Sequence, residues 1–188
     1  LSVRERHDNM TVGAMMQRGE MLHLPRIPAR MECYDISHVS GTDKVASMVV
    51  FLNGEPARGH YRKFHIRQVE GNNDFASLQE ALTRRLAHLN GEETDVSFAS
   101  VPDLIVIDGG KGQLSSVLEA VGEASEKISF ISLAKREEEV FTPHKSEPIV
   151  LPRDSYALKL LQRIRDEAHR FAITFHRGTR GKRMRRSS

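Results

Sequence analysis

Apolar residues fall in short runs whose period changes along the chain. Arg30–Ser40 (RMECYDISHVS) places Tyr34, Ile36 and Val39 as β-favouring bulk and predicts a first strand. Ser40 to Asp43 is a turn, and KVASMVVFL from Lys44 to Leu52 predicts a second strand. Asn53-Gly54 signals a hairpin into a third strand, roughly Gly59 to Val69. There His60, Arg62, His65 and Arg67 interleave with Tyr61, Phe64 and Ile66. The period then becomes helical: Phe75, Leu78, Leu82, Leu86 and Leu89 predict a helix over 72–90, capped by Asn73 or Asp74. A loop of acids and small residues follows over 91–100. Leu104 to Ile107 is unbroken and largely branched, the pattern of a strand buried on both faces. It stops at Asp108, turns at Gly109-Gly110, and after Lys111 and Gly112 gives way to a helix carrying Leu114, Val117, Leu118 and Val121 on one face. Ile128 to Leu133 predicts a fifth strand ending in Ala134-Lys135-Arg136, Glu137 to Glu139 a soluble loop, and Pro143 to Pro152 a small hairpin or lid. A last helix, about 155–176, buries Leu158, Leu161, Ile164, Ala168, Phe171 and Phe175 and presents Gln162, Arg165, His169 and His176 elsewhere, with Gly178 as its stop. Ahead of all this, Met10 to Met21 reads as a helix ended by Pro25 and Pro28, with an extended approach from His23.

The element order is β-β-β-α-β-α-β, then a loop and a helix. Three antiparallel strands followed by helix-linked strands, which cross over in parallel, give an α/β fold with a mixed five-stranded sheet flanked by helices. This order resembles the ribonuclease H-like arrangement, in which the first and fourth strands are neighbours. The division that follows is a lead-in over 1–29, one domain over 30–178 and a basic linker over 179–188.

Composition adds boundaries. The 188 residues are 39% hydrophobic and 28% charged, ordinary for one globular domain with a core. No apolar run approaches the ~20 residues that cross a bilayer. The charged start LSVRERHDNM lacks the apolar core of a secretory leader, and a first residue other than Met reads as a piece of a longer chain. A single cysteine, Cys33, excludes an internal disulfide and a multi-cysteine zinc site, and fits a reducing, cytoplasmic setting. The net charge of +3 is unevenly placed. From Ala168 onward there are seven Lys or Arg and no acid, so the rest of the chain carries a balance of −4. Such a tail suits a polyanion or a solvated linker.

Two acids stand where packing does not ask for them. Asp35 sits mid-strand, where an unpaired buried carboxylate costs several kcal/mol, unless that face is solvated. Asp108 ends a strand in front of a glycine turn; in α/β sheets the functional crevice lies outside such ends, although an acid there also simply opens turns. GGKGQ is neither a P-loop, which needs Lys-Ser or Lys-Thr after glycine, nor G-x-G-x-x-G, which argues against a small-molecule phosphate or nucleotide enzyme. In the ribonuclease H-like arrangement Asp35 and Asp108 face each other, and two such carboxylates repel unless a divalent cation lies between them. Mg²⁺ suits oxygen ligands shared with substrate phosphates, and His169 is the candidate third group from a packing helix. Lys111, at a helix start, is either a phosphate contact or a solvated turn lysine.

Four stretches, ECYDISH, IDGGKGQL, LAKREEEVF and RDEAHRFAITFHR, in this order, are similar to the UvrC family of bacterial nucleotide-excision-repair nuclease subunits, over about residues 20–180. The resemblance implies an RNase H-like nuclease dependent on Mg²⁺ or Mn²⁺ that makes the incision 5′ to a damaged nucleotide. It places Asp35, Asp108 and His169 on the family's catalytic positions, all three at the metal, and Asp74 on a further implicated acid. His169 stands where most such enzymes carry another carboxylate. Lys111, Lys135 and Arg67 become candidates for DNA contact. The implied partners are damaged double-stranded DNA and UvrB, with UvrA loading, for a monomeric chain away from membranes. The GIY-YIG nuclease and the helix-hairpin-helix module of the family have no counterpart in these residues. A non-catalytic nucleic-acid-binding module on the same fold is the alternative; in it DNA binding would survive loss of the acids.

Overall fold

The computed structural model describes residues 22, 24, 25, 27–40, 43–67, 69, 73–136 and 138–182, excepting the side chains of Ser40 and of 175–182. The helix expected over 10–21 and the end of the basic tail lie outside these residues. The long strands are β1 (Arg30–Ser40) and β2 (Asp43–Leu52), paired antiparallel with a register shift between His38 and Ser40. β3 (Glu55–Pro56) and β4 (Arg62–His65) both pair with the far edge of β2, at its opposite ends. Helix α1 (Asp74–Ala87) and the short α2 (Val96–Ala99) lead to β5 (Leu104–Asp108), then α3 (Lys111–Val121) and β6 (Ser129–Leu133). β7 (Glu139–Phe141) and β8 (Ile149–Val150) precede the long α4 (Tyr156–Lys182).

Among the described residues the sheet has eight strands in the order β3-β2-β1-β5-β6-β7-β8, with β4 beside β2. The five expected strands form its body, and β1, β5 and β6 run parallel. Three short strands extend it. The expected third strand is cut short because its two ends have other partners. Residues Arg58–His60 form a 3-10 turn closed by the Tyr61 N–H on the Arg58 carbonyl, 3.1 Å. Past His65, the Arg67 N–H donates to the Glu80 carboxylate of α1 at 2.8 Å and not to a strand. Glu139, expected in a loop, opens β7, and its hairpin with β8 contains the expected small hairpin. Helix α4 runs on through Gly178, a penalty of ~1 kcal/mol that a long preceding helix absorbs.

Side-chain alternation divides β1 between two layers. Met31, Cys33 and Asp35 point toward α4, whose Leu158, Leu161, Ile164, Ala168 and Ala172 are buried. Glu32 and Tyr34 point the other way, toward α1. There a fully buried Glu32 carboxylate accepts from Arg30 Nε (3.0 Å), Arg85 Nη2 (2.8 Å) and the Tyr34 hydroxyl (2.6 Å). Arg85 also donates to the carbonyls of Phe98 and Ser100, and Arg30 to that of Ser97, so one carboxylate ties β1, α1 and α2 together. Strand β1 is thereby fixed from behind while its other face carries Asp35.

Candidate active site

The parallel register sets the site. Tyr34 lies opposite Ile107, so the next residue of each strand is an acid, Asp35 on β1 and Asp108 on β5. Both side chains belong to the α4 face. The last rung between β5 and β6 is the Gly109 N–H on the Leu133 carbonyl, 3.0 Å, and the chain turns at this glycine. Gly109 has φ +150°, and a Cβ would stand 3.0 Å from Gln113 Cβ. Only glycine fits both demands. Gly109→Ala is expected to cost about 2 kcal/mol in urea denaturation. Gly59→Ala, which faces open space, should stay within about 0.5 kcal/mol of the parent.

Helix α4 brings His169 over the pair, with Nδ1 3.5 Å from Asp35 Oδ2. The imidazole is 70% exposed and the Asp35 side chain 20%. Burial pushes the Asp35 carboxyl up to about 6; His169 opposes this, and the charges of Asp108 and Asp74 add to it. Asp74 is thus within electrostatic reach. Its competing role as helix cap falls to Asn73, whose Oδ1 accepts the Ala76 N–H at 3.0 Å, leaving Asp74 as the first, exposed residue of α1.

The raised value has a sign. Asp35 holds its proton in the fold up to about 6 and in the unfolded chain only up to ~4. The fold therefore binds more protons between these values, and stability present below ~4 is lost as pH rises through 6. In chelator, Asp35→Asn is expected to stabilise the chain by about 2 kcal/mol at pH 7.5 and to flatten the slope between pH 5 and 7.5 in urea midpoints. An unchanged slope would show that Asp35 is not the group responsible.

One member was not singled out from sequence. Asp35 pairs with Ser47, and Ser47 with Lys63, so the three form one row across β1, β2 and β4. Lys63 Nζ donates to Ser47 Oγ (3.0 Å) and to the Phe171 carbonyl of α4 (3.1 Å), and lies 3.7 Å from the centre of the Phe171 ring. Burial pushes this amine down to about 7, against the pull of Asp35. Tyr61 adds a second tie, its hydroxyl donating to Glu167 at 2.8 Å. These bonds fasten α4 to the sheet edge two residues to either side of His169, at Glu167 and Phe171. In the sequence Lys63 is one of several basic residues in and around β4, and its meaning depends on strand register.

Asp108, Lys135, Arg165, Asp166 and His169 line an open cavity of about 420 Å³. Lys135 thus joins the acids, and Arg165 and Asp166 enter one helical turn before His169. Lys111 starts α3 just past the turn, exposed. Arg67 is exposed beyond the end of β4 and does not line this cavity. Among the described residues no group of three His, Cys, Asp or Glu side chains is drawn together tightly enough to hold an ion. The donor chemistry nevertheless fits a hard divalent cation: two carboxylates on one face, Asp35 being kept protonated to an unusually high pH by burial and by the charges of neighbouring acids, Asp108 among them.

The family model of the UvrC RNase H endonuclease domain matches residues 19–173. UvrABC system protein C of Acaryochloris marina (strain MBIC 11017) is 48% identical over all of this chain, and that of Gloeobacter violaceus (strain ATCC 29082 / PCC 7421) 51% identical over 98% of it. The chain spans 31% and 30% of those relatives. Among solved structures, human ENDOV has a TM-score of 0.52 at 12% identity, covering 94% of this chain and 98% of its own, a likeness of fold. That fold is RNase H-like, one mixed sheet flanked by helices. No helix of the described residues is long and apolar enough to cross a membrane. With its sequence matched to the family model from before β1 to the middle of α4, the chain belongs to the UvrC RNase H endonuclease domain family.

Proposed function

We propose that this chain makes the incision 5′ to a lesion in bacterial nucleotide excision repair, as a Mg²⁺- or Mn²⁺-dependent hydrolase acting on damaged duplex DNA held by UvrB after loading by UvrA. The observation that carries the reading is the parallel pairing that sets Asp35 beside Asp108 under His169, in a chain of this family. Asp35 and Asp108 would hold the ion, with His169 as a third contact. A divalent ion there supplies Lewis-acid charge at the scissile phosphate and acidifies water.

The chain's own groups do the rest. His169, exposed and resting on Asp35, orients the attacking water or takes its proton. Water's oxygen forms the new bond to phosphorus as the bond to the 3′ oxygen breaks, and that oxygen takes a proton from solvent, leaving a 3′ hydroxyl and a 5′ phosphate. Lys135 and Arg165, on the rim of the cavity, meet the negative charge of the phosphodiester. Lys63 and Tyr61 hold α4 so that His169 stays over Asp35. Asp74 adds negative charge at the same site.

The test is a chimera: this chain replaces the matching third of the Gloeobacter violaceus relative, and a lesion-bearing duplex is loaded with UvrA and UvrB. Cuts are mapped on both sides of the lesion. A 5′ incision abolished by chelator is the expected result. A 3′ incision alone, with DNA still bound, would leave the non-catalytic module in its place.

A further inference from the structure

A second concavity, about 460 Å³, opens on the other side of the Gly109-Gly110 turn, between the start of α3 and the loop that joins β7 to β8. Its cationic edges are Lys111 and Lys145, with the His144 imidazole beside them; its hydroxyls are Ser115, Thr142 and Ser146; Leu114 and Leu118 line its helix side. Lys111 and Lys145 are both exposed. No carboxylate is among its described lining residues. This contrasts with the neighbouring cavity, where Asp108 and Asp166 contribute acids. His144 takes φ +63°, a conformation that non-glycine residues rarely hold, at the head of the loop facing α3.

Lys111, which lines this groove, is three residues from Asp108, which lines the other cavity, across the Gly109-Gly110 turn. Cations and hydroxyls along a trough without acids match the repeating phosphates of a nucleic-acid backbone, which takes charge from lysine and hydrogen bonds from serine and threonine. The trough contains no Phe, Tyr or Trp ring on which a base could stack.

We infer that the groove between α3 and the β7–β8 loop binds the sugar-phosphate backbone of the DNA strand as it leaves the nuclease site, with Lys111 and Lys145 each meeting a phosphate. The inference rests on the nuclease reading and adds the track by which the strand is held. The groove carries affinity and register without sequence preference, while the Asp35–Asp108 pair carries the chemistry.

The experiment measures binding of this chain to a nicked duplex oligonucleotide, in chelator, over a series of salt concentrations. Lys111→Gln/Lys145→Gln is expected to weaken binding about tenfold at low salt and to lower the slope of log affinity against log salt by about 2, one for each lost phosphate contact. Lys127→Gln/Lys159→Gln removes the same charge from exposed positions outside the groove and should leave the slope unchanged. Equal slopes in the parent and the groove variant, or equal losses in both pairs, would overturn the groove. Asp108→Asn separates this from the nuclease reading. If that variant, placed in the chimera with Mg²⁺, cuts like the parent, the catalytic assignment fails whatever the groove does. If it binds normally and does not cut, the catalytic assignment stands and the slopes alone decide the groove.

Discussion

Asp108→Asn is expected to slow the 5′ incision of the chimera by about a thousandfold in single-turnover cleavage, equivalent to about 4 kcal/mol of transition-state stabilisation. The magnitude follows from the role: an amide keeps the shape of the carboxylate but not the charge that would hold a divalent ion. Asp108 is exposed at a strand end, so its loss should leave stability within about 0.5 kcal/mol. Asp35→Asn is expected to lose as much activity while the protein becomes more stable, because its charge is held half-buried at a cost. Stability gained where activity is lost is the mark of a group kept for chemistry. If the two acids serve one ion, as proposed, the double variant should cut no more slowly than either single one. A loss below tenfold in either single variant would remove that acid from the site.

The second large effect lies behind β1. Glu32→Ala is expected to destabilise the chain by about 4 kcal/mol, a large part of the ~5–15 kcal/mol that holds a domain together. The substitution leaves the buried guanidiniums of Arg30 and Arg85 without their shared carboxylate, and the Tyr34 hydroxyl without its acceptor. Removing one partner of a buried ion pair costs more than the pair contributes. Arg85→Met with Glu32→Leu removes one of the two stranded guanidiniums, leaves that of Arg30, and should recover only part of that loss. Urea denaturation of the three forms reads the difference. A loss under about 1 kcal/mol for Glu32→Ala would mean that the arginines find water or other acceptors.

The body of the fold was legible because its signals are local. β1, β5 and α3 follow from runs and periods only a few residues long, and Asn53-Gly54 marks the turn out of β2. Asp35 and Asp108 could be paired from sequence once β1 and β5 were adjacent, since each acid marks its strand at a comparable depth. What escaped depends on contacts between distant segments. Glu32 and Arg85 are 53 residues apart, and nothing near either names the other. Lys63 acquires its role from the row Asp35–Ser47–Lys63 and from a carbonyl on a helix more than a hundred residues later. Arg165 was placed on the correct helix, but that it shares a cavity with Asp108 depends on how α4 crosses the sheet. The outer strands β3, β7 and β8 are two or three residues long, too short to show a period. The proposed pair stands out in the sequence because it is made of charges placed against the local pattern, whereas the groups around it fit that pattern.

The most direct measurement is Mn²⁺ binding to this chain, read by the electron paramagnetic resonance of the free ion, for the parent, Asp35→Asn, Asp108→Asn and the exposed control Lys127→Gln. Loss of an outer partner already weakens metal sites by ~10–100-fold, so each acid variant should bind at least about tenfold more weakly than the parent, while the control matches it. Affinity should also rise with pH through about 6, as Asp35 gives up its proton to the ion. Equal Mn²⁺ affinity in all four proteins would contradict the account, and Asp35 and Asp108 would then be a half-buried strand acid and a turn residue.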